Sequence, residues 1–189
     1  FEMDHYTESL LRSLKRNGTE YSDVLIKGPE TLAVGRLVLD PYSATLYSSS
    51  PRVFSEIEET TKKLVPVYIN CQIDNTKFAI FSQIYRKLSG HLPPASGTSF
   101  KQVFDAVARI VQKDQLVLIV ALDDSNYLLY ENEINKVLYA LLRSHEAFPG
   151  TRIGVIAIIS DLDVDISQMV DARVASVFRP LDIYFPPYH

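Results

Sequence analysis

LVLIVALDD (Leu116–Asp124) is an apolar run that ends in two carboxylates. The run is apolar at consecutive positions rather than at alternate ones, which is typical of a strand buried on both faces of a parallel sheet. We therefore predict a strand over Gln115–Leu122, inside an α/β fold. The run is far shorter than the roughly 20 residues that a membrane helix needs, so no membrane role is predicted.

Three other short apolar runs have the composition of strands, namely VPVYIN (Val65–Asn70), RIGVIAII (Arg152–Ile159) and DIYF (Asp182–Phe185). Apolar residues recur at helical spacing in three segments between them, which are Phe78–Leu88, Phe100–Ile110 and Ile134–Leu142. Strands that alternate with helices predict parallel pairing through crossover connections. The fold class that follows is α/β, a three-layer sandwich with a mainly parallel sheet.

The first 51 residues have a different pattern. A short helix ending near Asn17 and a strand over Tyr21–Gly28 precede GRLVLDPYSATLYSS (Gly35–Ser49). The turn residues Asp-Pro-Tyr-Ser in that segment predict a β-hairpin, placed at the edge of the sheet or folded against it, so a mixed sheet is expected. Ser50-Pro51 then predicts the start of a helix whose apolar side chains are Val53, Phe54, Ile57 and Leu64. We divide the chain into an atypical segment over 1–51 and an α/β core over 52–189.

Composition excludes several classes of protein. The chain has 189 residues, 47% hydrophobic and 22% charged, which is a globular composition rather than a disordered one. Its 19 basic and 23 acidic side chains give a net charge of -4, which argues against nucleic-acid binding by the chain as a whole. The single cysteine, Cys71, forms no internal disulfide, so a cytoplasmic location is predicted. The four histidines are scattered without the spacing of a zinc site.

Polar side chains follow two of the predicted strands. Asp123 and Asp124 end the first, and IISDLDVD (Ile158–Asp165) places Ser160 at the end of another. Ligands of open parallel sheets bind at the carboxyl edge, where these side chains would meet. Asp123 is the candidate magnesium ligand and Asp124 the candidate group that polarises a water molecule. Acidic residues after a strand are also ordinary loop and cap residues, so this signal is weak when taken alone.

A nucleotide hydrolase also needs a phosphate-binding turn of the pattern G-x-x-x-x-G-K-[ST]. The sequence contains no such run, and the nearest approach is GPETLAVGR (Gly28–Arg36), which makes Gly28 the candidate nucleotide contact. Arg36 and Leu37 stand where the lysine and the hydroxyl residue belong. Weak nucleotide binding, or none, is therefore expected.

The run from Arg52 to His189 resembles the AAA+ module of archaeal DNA replication initiators. These are relatives of the eukaryotic origin recognition complex subunit one and of cell division control protein six. The matching segments, in order, are RVFSEIEETTKKLVPVYINCQ, VLIVALDDSNYLLYENEIN and GVIAIISDLDVDISQMVDARVASVFRPLDIYFPPY, and the opening FEMDHYT also matches. The resemblance implies ATP and magnesium as cofactors. It also implies origin DNA, other initiator subunits and the replicative helicase as partners.

The resemblance assigns roles to individual residues. Asp123 and Asp124 fall on the Walker B acids, although the family more often has Glu at the second position. Ser160 falls on the sensor-one position, where it would contact the γ-phosphate. Arg173, in DARVASVF, lies in the segment that supplies an arginine finger to a neighbouring subunit. Between Glu8 and Pro51 the resemblance fails, because the hairpin segment replaces the phosphate-binding loop.

Three functional hypotheses remain open. The first is the AAA+ core of a replication initiator that is degenerate or truncated in nucleotide binding. In the family, a helical lid follows FPPY, and the winged-helix domain after the lid reads DNA. The second is a non-catalytic interaction module that binds a partner or a second copy, as a homo-oligomer, through its hairpin or a sheet edge. The third is an ATPase that uses an unconventional loop over Gly28–Arg36.

Overall fold

A computed structural model describes residues 31–39, 63–159, 164–178 and 182–185, with the backbone alone described for the first and last ranges. These residues form a five-stranded sheet of order β2-β3-β4-β1-β5. All four described strand pairings are parallel. The strands are β1 (Thr31–Leu39), β2 (Leu64–Asn70), β3 (Val117–Asp123), β4 (Arg152–Ile159) and β5 (Asp182–Phe185).

Helices fill the connections between the strands. Two long helices, α1 (Lys77–Ser89) and α2 (Phe100–Lys113), join β2 to β3. Between β3 and β4 lie α3 (Asn126–Tyr130), α4 (Ile134–Leu142) and α5 (Ser144–Ala147). Two short helices, α6 (Ile166–Met169) and α7 (Ala172–Ala175), precede β5. No helix among the described residues has the length and apolar character needed to cross a membrane.

The predicted elements of the core are confirmed, with small shifts at their ends. Helix α1 ends at Ser89 and is capped by Gly90, whose φ of 84° is the left-handed conformation that a glycine cap adopts. Helix α2 begins with a capping box between Ser99 and Gln102. Leu64 was expected on a helix, and this is wrong. Leu64 is buried and is the first residue of β2, where it pairs with Val117 of β3, because the apolar run that forms this strand already begins at Leu64.

The hairpin prediction is also wrong where the structure tests it. Residues Arg36–Val38 of β1 lie between two parallel neighbours, β4 on one side and β5 on the other. A strand has two hydrogen-bonding edges, so no antiparallel partner can join this one. The turn residues that follow indicate where the strand ends but not which strands it pairs with. The predicted turn and second arm, over 40–49, lie outside the described residues.

The core has two sides because β3 is buried along its whole length. Leu118, Val120 and Leu122 face one way, and they belong to the same apolar cluster as the inner faces of α1, α2 and α4. Side chains alternate along a strand, so Ile119, Ala121 and Asp123 face the other way. Burial on both faces agrees with the predicted sandwich. The alternation of side chains along β3 also places the candidate carboxylate Asp123 on the face of the sheet opposite to α1, α2 and α4.

Candidate functional site

The two carboxylates lie at the carboxyl end of β3, as predicted. Only 3% of Asp123 and 1% of Asp124 is exposed. Asp124 has a φ of 51°, a left-handed conformation that aspartate tolerates better than most residues. The chain is then fixed to β4, because the backbone N–H and the hydroxyl of Ser125 both donate to the carbonyl of Ile158, at 2.8 and 2.9 Å. The pair is thus held by a sharp turn between two central strands.

Three hydrogen bonds orient these carboxylates. The hydroxyl of Tyr68 donates to Oδ2 of Asp123. The backbone N–H of Asp124 donates to Oδ1 of Asp123 at 3.1 Å, and Nε2 of Gln72 donates to Oδ2 of Asp124 at 2.6 Å. Each carboxylate therefore has a fixed orientation and keeps oxygen lone pairs for a further ligand.

Sequence reasoning missed Tyr68 and Gln72. Tyr68 pairs in register with Ala121, so it shares a face with Asp123 two residues further along β3. The alternation in VPVYIN places Tyr68 and Asn70 on one face, and that signal was available once the parallel pairing had been assumed. Gln72 lies in the turn after β2, where its backbone N–H donates to Oδ1 of Asn70 at 2.9 Å. The sequence gives no comparable signal for Gln72.

The electrostatic environment of Asp123 favours the uncharged form of its carboxyl group. Burial raises the pKa of Asp123 above its usual value, and the charge of Asp124 adds to this. The hydrogen bonds from Tyr68 and from the Asp124 amide act in the opposite direction. Burial, with the nearby charges of Asp123 and Asp124, also raises the pKa of the Cys71 thiol, so Cys71 stays protonated at neutral pH. A cation would offset the charge that this buried edge concentrates.

The donor set fits a magnesium ion that keeps most of its water ligands. The described residues contain no group of three or more His, Cys, Asp or Glu side chains able to hold a metal. The site offers the two carboxylates of Asp123 and Asp124, and Mg²⁺ commonly binds one or two carboxylates together with water and phosphate oxygens. Asp123 and Asp124 would hold the ion by this means.

A phosphate-binding turn is not found where the described residues test for one. The segment from Thr31 to Arg36 is extended and paired with β4, with a register shift between Ala33 and Gly35. Consecutive amides of an extended strand point in opposite directions, whereas a phosphate needs several amides converging on one point. This part of the predicted unconventional loop is therefore a strand. Gly28 lies outside the described residues.

Of the two remaining predicted site residues, the structure describes Arg173, which is not brought to this pair. Ser160 follows the last residue of β4 and lies outside the described residues. Arg173 is on α7, with 75% of its side chain exposed, and its guanidinium bonds Asp171 at 2.9 Å. That hydrogen bond lowers the pKa of Asp171. None of the hydrogen bonds or ion pairs found for Arg173 reaches Asp123 or Asp124.

Comparison with known proteins identifies relatives over most of the chain. ORC1-type DNA replication protein 2 of Methanosarcina mazei is 45% identical over 152 residues, and protein 2 of Methanothermobacter thermautotrophicus is 40% identical over 155. ORC1-type DNA replication protein 6 of Halobacterium salinarum is 48% identical over 122 residues. These matches cover 80%, 82% and 65% of this chain but 40%, 40% and 33% of the relatives. A scan against models of protein families finds no match.

Solved structures agree with this assignment at the level of the fold. The Aeropyrum pernix ORC1 protein in complex with DNA superposes with a TM-score of 0.73, at 18% identity, over 98% of this chain and 45% of that one. The Aeropyrum pernix ORC2 protein in its ADPNP–ADP complexes gives 0.72, at 20% identity, over 97% and 48%. The predicted resemblance is confirmed, and this chain, which spans about two fifths of its relatives or less, belongs to the family of ORC1-type DNA replication proteins.

Proposed function

We propose that this chain is the AAA+ core of a DNA replication initiator that keeps the cation-binding carboxylates of its family but grips triphosphate poorly. The observation that carries the proposal is the buried, hydrogen-bonded pair Asp123 and Asp124, accompanied by a β1 that is extended at Thr31–Arg36. The first feature supports a retained metal site. The second supports a weakened nucleotide site.

The residues at the carboxyl edge have separate tasks in this proposal. Asp123 holds the magnesium ion, which supplies positive charge beside phosphate oxygens when it is bound. Asp124 would orient water, but Gln72 already occupies one of its oxygens, and an aspartate reaches less far than the usual glutamate. Ser160 stays a proposed γ-phosphate contact. The side chain of Arg173 is exposed, and its ion pair is with Asp171 rather than with Asp123 or Asp124. This arrangement suits action on a neighbouring subunit rather than on the site of its own chain.

The partners are proposed from the relatives. The relatives' names specify DNA replication, and one structural neighbour is in complex with DNA. We propose that origin DNA is bound by the full-length protein, with other initiator subunits and the replicative helicase as protein partners, in the cytoplasm. Self-association through an edge hairpin receives no support, because β1 uses both of its edges within the sheet.

Manganese binding tests the metal site directly. Mn²⁺ substitutes for Mg²⁺ at oxygen ligands and is detected by electron paramagnetic resonance, so no nucleotide is needed. We expect Asp123→Asn to weaken Mn²⁺ binding by about tenfold, since a carboxylate ligand is lost. Asp114→Asn removes an exposed carboxylate at the end of α2 and serves as the matched control, with no expected change. Equal Mn²⁺ affinity of the parent, Asp123→Asn and Asp114→Asn would contradict the proposed cation site.

A further inference from the structure

Each oxygen of the Asp123 carboxylate already accepts a hydrogen bond from the protein. Oδ1 accepts the backbone N–H of Asp124 at 3.1 Å, and Oδ2 accepts the hydroxyl of Tyr68. The first donor belongs to the turn after β3, which Ser125 fixes to the carbonyl of Ile158. The second donor lies at the end of a side chain. Of the two donors, the hydroxyl is therefore the one that can move away without a change of the backbone.

The two partners of the Tyr68–Asp123 hydrogen bond differ widely in exposure. Asp123 is 3% exposed, whereas Tyr68 is 41% exposed. Tyr68 pairs in register with Ala121, so its hydroxyl reaches Asp123 along the face of the sheet that the two residues share. Exposed side chains change rotamer within picoseconds to nanoseconds. The hydroxyl that shields this buried carboxylate thus belongs to a side chain that is open to water and able to turn away.

A hydrated cation and the hydroxyl of Tyr68 compete for Asp123. Mg²⁺ usually keeps several water ligands when it binds protein carboxylates, so it needs open space beside them. A carboxylate that is 3% exposed offers almost no such space while the hydroxyl shields it. The hydroxyl also directs its proton, which carries partial positive charge, at Oδ2, where it repels a cation. Binding of the ion therefore requires that the hydroxyl leave.

We propose that Tyr68 sets the affinity of the cation site, because its hydroxyl binds Asp123 in the absence of a divalent cation and must be displaced when the cation binds. This inference rests on the proposed cation-binding role of Asp123. Without the cation, the hydrogen bond stabilises a carboxylate that is shielded from water. When the cation binds, the same hydrogen bond is lost, so the site binds the ion more weakly than its two carboxylates alone would.

Manganese binding to the whole chain separates competition from orientation by the sign of the effect. Tyr68→Phe keeps the ring and removes the hydroxyl. We expect this variant to bind Mn²⁺ about tenfold more tightly than the parent, since no hydrogen bond to a charged group has to be broken first. A hydroxyl that only orients the carboxylate predicts the opposite, because loss of such a partner typically weakens metal binding about tenfold or more.

Tyr139→Phe is the matched control for this variant. Tyr139 has nearly the same exposure, at 40%, and lies on α4, on the other side of the sheet from Asp123. We expect its loss of a hydroxyl to leave Mn²⁺ binding unchanged. The double variant of Tyr68→Phe and Asp123→Asn should lose the gain in affinity, because the hydroxyl acts through the Asp123 carboxylate.

The ultraviolet absorption of tyrosine gives a second readout. Mg²⁺ should transfer the hydroxyl of Tyr68 from a carboxylate to water, and so change the absorption of the parent and of Tyr139→Phe but not that of Tyr68→Phe. No Mg²⁺-dependent change in the parent, or the same change in Tyr68→Phe, overturns the proposal.

The manganese experiment also distinguishes this inference from the proposed function. Equal or weaker Mn²⁺ binding by Tyr68→Phe, beside a parent that binds the ion through Asp123, overturns the role of Tyr68 and leaves the cation site in place. Absence of Mn²⁺ binding in both the parent and Tyr68→Phe overturns the cation site and the role of Tyr68 together.

Discussion

Replacing Phe81 with alanine is expected to lower the free energy of unfolding by about 3–5 kcal/mol. Phe81 is fully buried on the inner face of α1, and its ring centroid lies 5.2 Å from that of Phe100 and 5.5 Å from that of Phe104. The substitution removes the aromatic contacts of Phe81 between α1 and α2 and leaves a cavity in the apolar core cluster. Proteins of this size are stable by only about 5–15 kcal/mol, so much of the stability would be lost.

Urea unfolding followed by circular dichroism measures the effect of this change. The matched control is Phe78→Ala, on the same helix, where 39% of the residue is exposed. We expect the control to cost less than about 1.5 kcal/mol, because its ring is only partly removed from water. Similar losses in both variants would show that α1 does not pack through the Phe81 face.

Asp123→Asn is expected to raise the free energy of unfolding by about 2 kcal/mol at neutral pH in the absence of divalent cations, since it removes a buried charge. Burial is the main reason that the pKa of Asp123 is raised above its ordinary value of 3.8. The folded state therefore binds this proton more tightly than the unfolded state does. The stability that Asp123 contributes is present below pH 3.8 and is lost as the pH rises through its folded pKa.

The pH dependence distinguishes this explanation from a general improvement in packing. The stability difference between Asp123→Asn and the parent should be small at the ordinary aspartate pKa, grow with pH and level off above the folded pKa. Urea unfolding at a series of pH values gives this curve. Addition of Mg²⁺ at neutral pH should reduce the stability difference between the two proteins, because the ion stabilises only the parent. A difference that is constant across pH, or of opposite sign, would contradict the raised pKa.

The central elements could be predicted because their sequence patterns are strong. β4, β5 and α4 have the predicted bounds, and α1 ends at the glycine cap that the sequence indicates. The carboxylate pair was also predictable, since acids that follow a buried parallel strand must lie at its carboxyl edge. Periodicity and cap residues depend on local chemistry, which a single sequence contains.

The errors arose where long-range pairing decides the structure. A strand such as β1 has the same composition at the edge of a sheet as between β4 and β5, and the turn residues that follow it do not identify its neighbours. Tyr68 reaches Asp123 across 55 positions, through a register that becomes known only when β2 and β3 are paired.

Calorimetric titration with ATP and magnesium tests the central claim most directly. The account predicts no binding tighter than about 1 mM, because Thr31–Arg36 is an extended strand and the sequence lacks the lysine and hydroxyl of a phosphate-binding turn. Micromolar binding that is abolished by Asp123→Asn would contradict it, since triphosphate would then be held at this edge of the sheet.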